Sequence, residues 1–360
     1  MLSRLASKTP NIHSARINVP ILFSNADSGS SFNWSTLASQ WSKLTTLSLS
    51  DLPSPYINET YDISNISDVF HRLQHLDITR CDGIRTHMLP TMPYLQTLAA
   101  CIDHASDYNA LPKILQSCQN TLHTLFIRFE CYDDRAPPNS FNLDDLNIGH
   151  KQLKTFGLYS MDGSQFNITE FGDNLEHLGW CVHNFLEMDP SLPPAMIKKD
   201  TLKSLSFAGN MDPDCAALVL EANKYSLQTL YFEDTDLIDA LQESKVRLYN
   251  VTTLCCISSS LENSDVCSLA EIFPNVKYLA LCRKKYPTLK GTGRPMWIAM
   301  DSLSHFQHLE ALDIMTFLEL VDQSLSTFQQ CKILGPVWKG PYLVIPLQES
   351  RGRYLCHMFH

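Results

Sequence analysis

The sequence lacks the motifs that mark most hydrolases, metalloproteases and nucleotide-binding enzymes. No Gly-x-Ser-x-Gly, His-Glu-x-x-His or P-loop pattern occurs in its 360 residues. His305 and His308 are three residues apart, but no carboxylate or cysteine stands at ligand spacing beside them, so a surface or packing role is favoured over metal binding. Because no nucleophile, acid–base pair or metal set stands out, we expect a protein that is not an enzyme and has no cofactor.

Long apolar runs and paired cysteines are also missing. No stretch approaches the roughly 18 apolar residues of a membrane-spanning helix, so we expect no membrane partner. The first ten residues contain no apolar run, so we expect no secretory signal. None of the twelve cysteines forms a Cys-x-x-Cys pair, which is typical of free thiols in a reducing compartment. These absences predict a cytoplasmic or nuclear protein.

Basic residues are in the minority, with 28 Lys and Arg against 38 Asp and Glu, for a formal net charge of -10. This balance argues against a general nucleic-acid binder, which needs a basic surface, so we expect no nucleic-acid partner. The exception is the run Arg283, Lys284 and Lys285, followed by Lys290 and Arg294. The run is either a solvated loop or a contact for an acidic partner or a phosphate group.

What the sequence does contain is a recurring apolar pattern, Leu-x-x-Leu-x-Leu, which we call the frame. Its clearest copy is Leu73-Gln-His-Leu76-Asp-Ile78-Thr-Arg-Cys81. Eleven copies occur, and they begin at Leu44, Leu73, Leu95, Leu122, Leu153, Leu175, Leu202, Leu227, Val251, Val276 and Leu309. Residues Ile12 to Ile17 match the frame loosely, and they precede the Leu44 copy by a gap like those between the other copies.

The frames recur with the period of a leucine-rich repeat. From Leu44 to Leu309 the mean interval is about 26 residues, within the range of roughly 20–29 residues that these repeats have. Apolar residues two apart point to the same face of a strand, and one such strand cannot bury that face alone. Stacking many strands in parallel gives a continuous core. We therefore predict an α/β leucine-rich-repeat solenoid of about 11–12 irregular repeats over residues 1–320, followed by a capping segment or tail at 321–360.

Apolar stripes with helical spacing precede several frames, as a β–α repeat requires. Their members include Ile63, Ile66, Val69 and Phe70; Leu111, Ile114 and Leu115; Leu237, Ile238 and Leu241; Val266, Leu269, Ala270 and Ile272; and Trp297, Met300, Leu303 and Phe306. Asp212-Pro213 is a helix-start signal before another stripe. Three longer inserts, at 130–142, 187–200 and 283–295, are predicted to be surface loops.

The residues between the core positions of a frame should face away from the helices, on the concave side of the sheet. The resulting set is Asp77, Phe126, Arg128, Tyr159, Tyr231, Glu233 and Tyr278. Aromatic rings on a solvated strand face expose apolar area, and Tyr, Phe and Arg are enriched in protein interfaces, so we predict that this set binds a partner. The alternative is that the rings pack on neighbouring strands as cross-strand pairs.

The segment from Arg72 to Gly83, Arg-Leu-Gln-His-Leu-Asp-Ile-Thr-Arg-Cys-Asp-Gly, resembles the cysteine-containing leucine-rich repeats of F-box proteins. The resemblance covers roughly residues 12–314. It implies a right-handed solenoid, with a curved parallel sheet on the concave side, helices on the convex side and a target protein bound to the concave face. The F-box module docks the adaptor of a cullin-type ubiquitin ligase. No Leu-Pro-x-Glu-like opening occurs near residues 1–40, so that contact requires an F-box upstream.

Two functions follow from this resemblance and from the repeats. The first is a substrate-recognition region of an F-box-like ubiquitin-ligase adaptor. The second is a stand-alone leucine-rich-repeat scaffold without a ligase partner. Both predict binding of another protein, and neither identifies that protein.

Overall fold

The structure is a computed structural model, and it divides into two compact units, residues 1–190 and 191–360. It describes residues 8–9, 11–18, 41–50, 67–81, 86–102, 105–129, 140–146, 152–160, 165–167, 171–182, 197–209, 212–233, 236–258, 261–283, 300–315 and 332–333.

The first unit is built on a ladder of parallel strands that pair in chain order. The ladder strands are β1 Ser14–Asn18, β2 Thr46–Ser50, β3 His75–Arg80, β4 Thr97–Ile102, β5 Thr124–Phe129, β7 Thr155–Ser160 and β9 His177–Val182. Two short strands, β6 Ser140–Asn142 and β8 Gln165–Asn167, pair with each other in a separate parallel pair.

The second unit repeats this arrangement with six parallel strands among its described residues, again paired in chain order. These strands are β10 Ser204–Gly209, β11 Thr229–Glu233, β12 Thr253–Ser258, β13 Tyr278–Arg283, β14 Ala311–Met315 and β15 Lys332–Ile333. Every predicted frame therefore forms one strand, and the predicted α/β fold with a parallel sheet is confirmed.

Helices lie between the strands in sequence. They are α1 Ser67–His71, α2 Ala105–Ser117, α3 Pro213–Ala222, α4 Asp236–Glu243, α5 Asn263–Ile272 and α6 Met300–Leu303, with 3₁₀ turns at Thr86–Met88 and Leu143–Leu146. Helix α3 begins at the predicted signal, with Asp212 as N-cap and Pro213 in the first turn. Among the described residues, no helix is both long and apolar enough to cross a lipid bilayer.

The core forms where the frame residues meet the helical stripes. The first frame positions from Leu44 to Val276 are all at most 2% exposed, and the second positions pair with one another along each ladder. The predicted helical stripes supply the facing side: they are buried in α2 at Leu111, Ile114 and Leu115, in α4 at Leu237, Ile238 and Leu241, and in α5 at Val266, Leu269, Ala270 and Ile272. Ile63, Ile66 and Trp297 lie outside the described residues.

One backbone carbonyl per frame fixes the register of the next strand. The carbonyl oxygen of Gln74 accepts hydrogen bonds from the N–H groups of Gln96 and Thr97, at 2.7 and 3.0 Å. The same pair of hydrogen bonds recurs at other carbonyl oxygens: those of His13, Thr45, Gln96, His123 and Lys154 in the first unit and of Lys203, Gln228, Thr252 and Lys277 in the second. Because the acceptor always follows the first frame position, consecutive strands start at equivalent residues.

A buried asparagine joins the end of α3 to the start of β10. The side chain of Asn223 is fully buried; its amide group donates to the carbonyl of Val219 at 3.0 Å. Its side-chain oxygen accepts from the N–H groups of Thr201 and Leu202, at 3.2 and 3.1 Å. One side chain therefore satisfies three backbone groups, two of them in buried residues.

Four features differ from the sequence predictions or extend them. The first predicted insert, 130–142, ends in strand β6, and the predicted tail contains strand β15, which pairs with β14. The two compact units meet at residues 190 and 191, whereas the predicted domain boundary lies at 320 and 321 and remains a prediction. Frame residue Leu309 is half-buried rather than fully buried.

We predict that Leu76→Asp or Leu205→Asp unfolds the neighbouring repeats, because each substitution places a charge in an apolar core at a cost of several kcal/mol. Leu76 is 1% exposed and Leu205 is fully buried. The matched control is Leu218→Asp, the same change at a side chain that is 53% exposed on α3, which should cost about 0.5 kcal/mol or less. Thermal unfolding followed by circular dichroism makes the comparison. Wild-type melting of either core variant would refute the assigned strand register.

We also predict that Asn223→Ala lowers the free energy of unfolding by about 2–4 kcal/mol, because it leaves buried backbone N–H groups unpaired. Asn120→Ala, in the turn after α2, is the control, since Asn120 is exposed. Chemical denaturation of the two variants measures the difference. Equal stability would show that water or another group replaces the Asn223 side chain.

Candidate interaction surface

The predicted partner-binding residues of the first unit lie on the strand face opposite the frame leucines. Phe126 stands beside Gly157 on the neighbouring strand, and Arg128 stands beside Tyr159. The guanidinium carbon of Arg128 lies 5.7 Å from the centre of the Tyr159 ring, within the range of a cation–π contact. The structure thus brings Phe126, Arg128 and Tyr159 onto adjacent strands, as the frames predicted.

These rings are buried, which the sequence analysis did not expect. Phe126 is 8% exposed and Tyr159 is 5% exposed. Gly157, whose missing side chain leaves room beside Phe126, is buried as well. The expectation that these rings expose apolar area to solvent is therefore wrong. The alternative interpretation, packing on neighbouring strands, fits the Arg128–Tyr159 contact.

Asp77 and Arg128 both bind Thr79 on strand β3. One carboxylate oxygen of Asp77 accepts from the N–H and the hydroxyl of Thr79, at 3.0 and 2.7 Å, and the other accepts from the hydroxyl of Ser48 at 3.3 Å. A guanidinium nitrogen of Arg128 donates to the carbonyl of Thr79 at 3.3 Å. The register of β2 against β3 shifts after Ser48. The Asp77–Ser48 hydrogen bond therefore links the two strands next to this irregularity.

The second unit contains the other three predicted residues: Tyr231 and Glu233 are bonded to each other, and Tyr278 lies apart from them on β13. Tyr231 is 6% exposed, and its hydroxyl donates to the half-buried carboxylate of Glu233 at 3.1 Å. Tyr278, in contrast, is 43% exposed, and its hydroxyl donates to Glu310 at 3.3 Å. Tyr231 therefore resembles Phe126 and Tyr159 in its burial, whereas Tyr278 is the predicted ring that solvent and a partner can reach.

The Glu310 carboxylate also forms an ion pair with Lys277, with 2.9 Å between the lysine Nζ and the glutamate Oε1. This hydrogen bond raises the pKa of Lys277 and lowers the pKa of the Glu310 carboxyl. Both side chains are about half exposed, so water screens the pair and its contribution to stability is small. The pair places a fixed charge of each sign beside the Tyr278 ring.

The predicted basic run begins at the last residue of β13, Arg283, whose side chain is not described. Lys284, Lys285, Lys290 and Arg294 lie outside the described residues. The run therefore stays a prediction.

Sequence reasoning missed three exposed rings that lie outside the frames; one, Tyr94, is in the first unit, and the other two are in the second. Tyr225 and Tyr249, each two residues before a frame, are 66% and 60% exposed. Asn250 donates its side-chain amide to the carbonyl of Tyr225 at 2.6 Å, and Asn275 donates to the carbonyl of Tyr249 at 2.8 Å. The available signal was the repeated asparagine directly before the frames at Val251 and Val276.

The described residues offer little for metal or nucleophilic chemistry. Among them, no group of three or more His, Cys, Asp or Glu side chains is placed to hold a metal ion. His305 lies just after α6, with its Nδ1 atom 3.0 Å from the carbonyl oxygen of Asp301. Burial raises the pKa of the Cys118 thiol to about 11, so this thiol is protonated at neutral pH and is a poor nucleophile.

A scan of protein-family models found none that matches the chain, and a search of the curated proteins found no significant match.

Because Phe126 is buried, we predict that Phe126→Ala lowers the free energy of unfolding by about 3 kcal/mol. Tyr94→Ala is the control in the same unit, since Tyr94 is 57% exposed and its loss removes little buried area. Denaturant unfolding of both variants provides the test. If Phe126→Ala is as stable as the control, the ring contributes no packing and becomes a candidate for direct partner contact again.

Proposed function

We propose that the chain is a right-handed leucine-rich-repeat solenoid that binds a target protein, as the substrate-recognition region of an F-box-like ubiquitin-ligase adaptor. The observation that carries the proposal is the agreement between frame and strand: each frame forms one strand, and the strands pair in parallel and in chain order within each unit. Repeats of this kind bury a core between neighbours and present side chains in rows, which suits recognition of another protein. The cytoplasm or nucleus, where such ligases act, is the proposed location.

The proposed binding surface is the strand face opposite the frame leucines. The residues on it that solvent can reach would contact the target protein. Arg128 and Glu233 are half-buried and Tyr278 is exposed. The buried rings would position these residues rather than contact the target. Tyr159 packs against Arg128, and Tyr231 donates a hydrogen bond to Glu233. Residues of this kind, Tyr and Arg beside a packed aromatic base, are enriched in binding hot spots.

Affinity capture followed by mass spectrometry tests the function. We predict that the wild-type chain captures a specific protein, and that the cullin-ligase adaptor is recovered with a chain that includes any upstream F-box. The Leu76→Asp variant is the control bait, because proteins that it captures equally well are bound through unfolded chain. Specific partners without the adaptor would favour a stand-alone scaffold. A wild-type bait that captures nothing beyond this control would overturn the proposal.

A further inference from the structure

The loops that lead into the strands of the second unit carry an unusual charge. Each of these loops ends at the residue directly before a strand, and we call them the lead-in loops: residues 197–203, 223–228, 244–252, 273–277 and 304–310. Their basic residues are Lys198, Lys199, Lys203, Lys224, Lys245, Arg247 and Lys277. Their carboxylates are Asp200 and Glu310 alone. Seven cations against two carboxylates stand out in a chain where acidic residues outnumber basic ones by 38 to 28.

The ladder gathers these loops at one edge of the sheet. Strands β10 to β14 are parallel, and the first residues of β10, β11, β12, β13 and β14 pair in register. Neighbouring strands in such a sheet lie about 4.8 Å apart, so loops that precede them lie side by side. Charges that are far apart in the sequence therefore act together on one edge.

Two exposed tyrosine rings lie within this basic edge, on consecutive lead-in loops. Lys224 places its ammonium nitrogen 5.3 Å from the centre of the Tyr225 ring. Asn250 and Asn275 hold the main chain at Tyr225 and Tyr249 through the hydrogen bonds described above. Because the backbone under both rings is fixed, a ligand that stacks on them loses little free energy in ordering the site.

We propose that this edge binds an extended acidic segment of a partner protein, with the rings of Tyr225 and Tyr249 in contact with its backbone or apolar side chains and with Lys224, Lys245 and Arg247 near its carboxylates. The inference rests on the proposed function of partner binding and names the surface and the chemistry of the partner. Tyr and Arg are favoured at interface centres, and cations around them attract and orient an acidic segment.

A protein segment fits this edge better than a nucleic acid does. Arg247 is paired with Glu271 at 3.4 Å, and Lys277 is paired with Glu310 at 2.9 Å. A continuous phosphate backbone carries a charge on every nucleotide and would have to pass these carboxylates. Separate carboxylates on a peptide can sit beside the cations and avoid the glutamates.

Fluorescence anisotropy with a labelled short peptide of alternating Glu and Pro tests the proposal. The peptide is acidic, and its extended conformation costs little entropy to order. We expect wild-type protein to bind it more weakly as salt is raised, because Lys245 is exposed and Lys224 and Arg247 are only half-buried, so salt screens their attraction for the peptide. The double variant Tyr225→Ala, Tyr249→Ala should bind about tenfold more weakly or worse. Both rings are exposed, so the variant should melt like the wild type.

The control variant is Tyr94→Ala, which removes an exposed ring from the first unit and should leave peptide affinity unchanged. Three outcomes would overturn the inference: no binding of the Glu–Pro peptide by the wild type, equal binding by the double variant, or tighter binding of a Lys–Pro peptide or of single-stranded RNA. The capture experiment separates this inference from the proposed function. If the double variant captures the wild-type partner undiminished, the inference fails and the function stands, whereas a wild type that captures nothing contradicts the function itself.

Discussion

Both ladders depend on a single backbone carbonyl in each frame. The carbonyl that follows the first frame position accepts two N–H groups of the next frame, at 2.7–3.1 Å. Both hydrogen bonds come from main-chain N–H groups, so the side chain at that position varies and is His, Thr, Gln or Lys in different frames. At Thr45 the hydroxyl adds a third hydrogen bond to the His13 carbonyl, at 3.3 Å. The residue before the carbonyl is apolar, a leucine in most frames and Ile12, Val251 or Val276 in the others, and its packing holds the carbonyl in position. Register is thus set by the main chain and by one apolar residue, and the intervening polar positions are left to vary.

The sequence was sufficient to locate the strands that carry a frame, because the relevant signal is local. Two apolar residues at spacing two, with a third ahead of them, mark a strand whatever lies around it. Even the loose match at Ile12 to Ile17 forms β1, which pairs in register with β2 from Ser14 opposite Thr46 onwards. Strands β6, β8 and β15 carry no frame and have three, three and two residues. Strands β6 and β8 share the dipeptide Phe-Asn, and Phe141 pairs with Phe166 in register. Two or three residues are nevertheless too short for an alternating pattern to mark a strand in the sequence.

The surface was harder to predict than the fold, for a physical reason. Alternation along a strand tells which side a residue occupies but not what covers that side, and Phe126 and Tyr159 are buried on the face that alternation assigned to solvent. Tyr225 and Tyr249 were missed because they lie in turns, where no period constrains them. Asn250 and Asn275 each bond to the turn of the preceding repeat, a contact between residues 25 and 26 positions apart that only the stacked turns of the structure bring together.

Pairing in chain order also bears on how such a chain reaches its folded state. Each ladder strand finds its partner about one period away in the sequence, so forming a new pair closes a loop of similar, modest length each time. Within each unit the structure can grow from any nucleus by adding one repeat at a time. A parallel sheet is ordinarily slow to form, because its contacts are distant in sequence. Here the repeated architecture keeps those distances short, and the chain can order progressively as it leaves the ribosome.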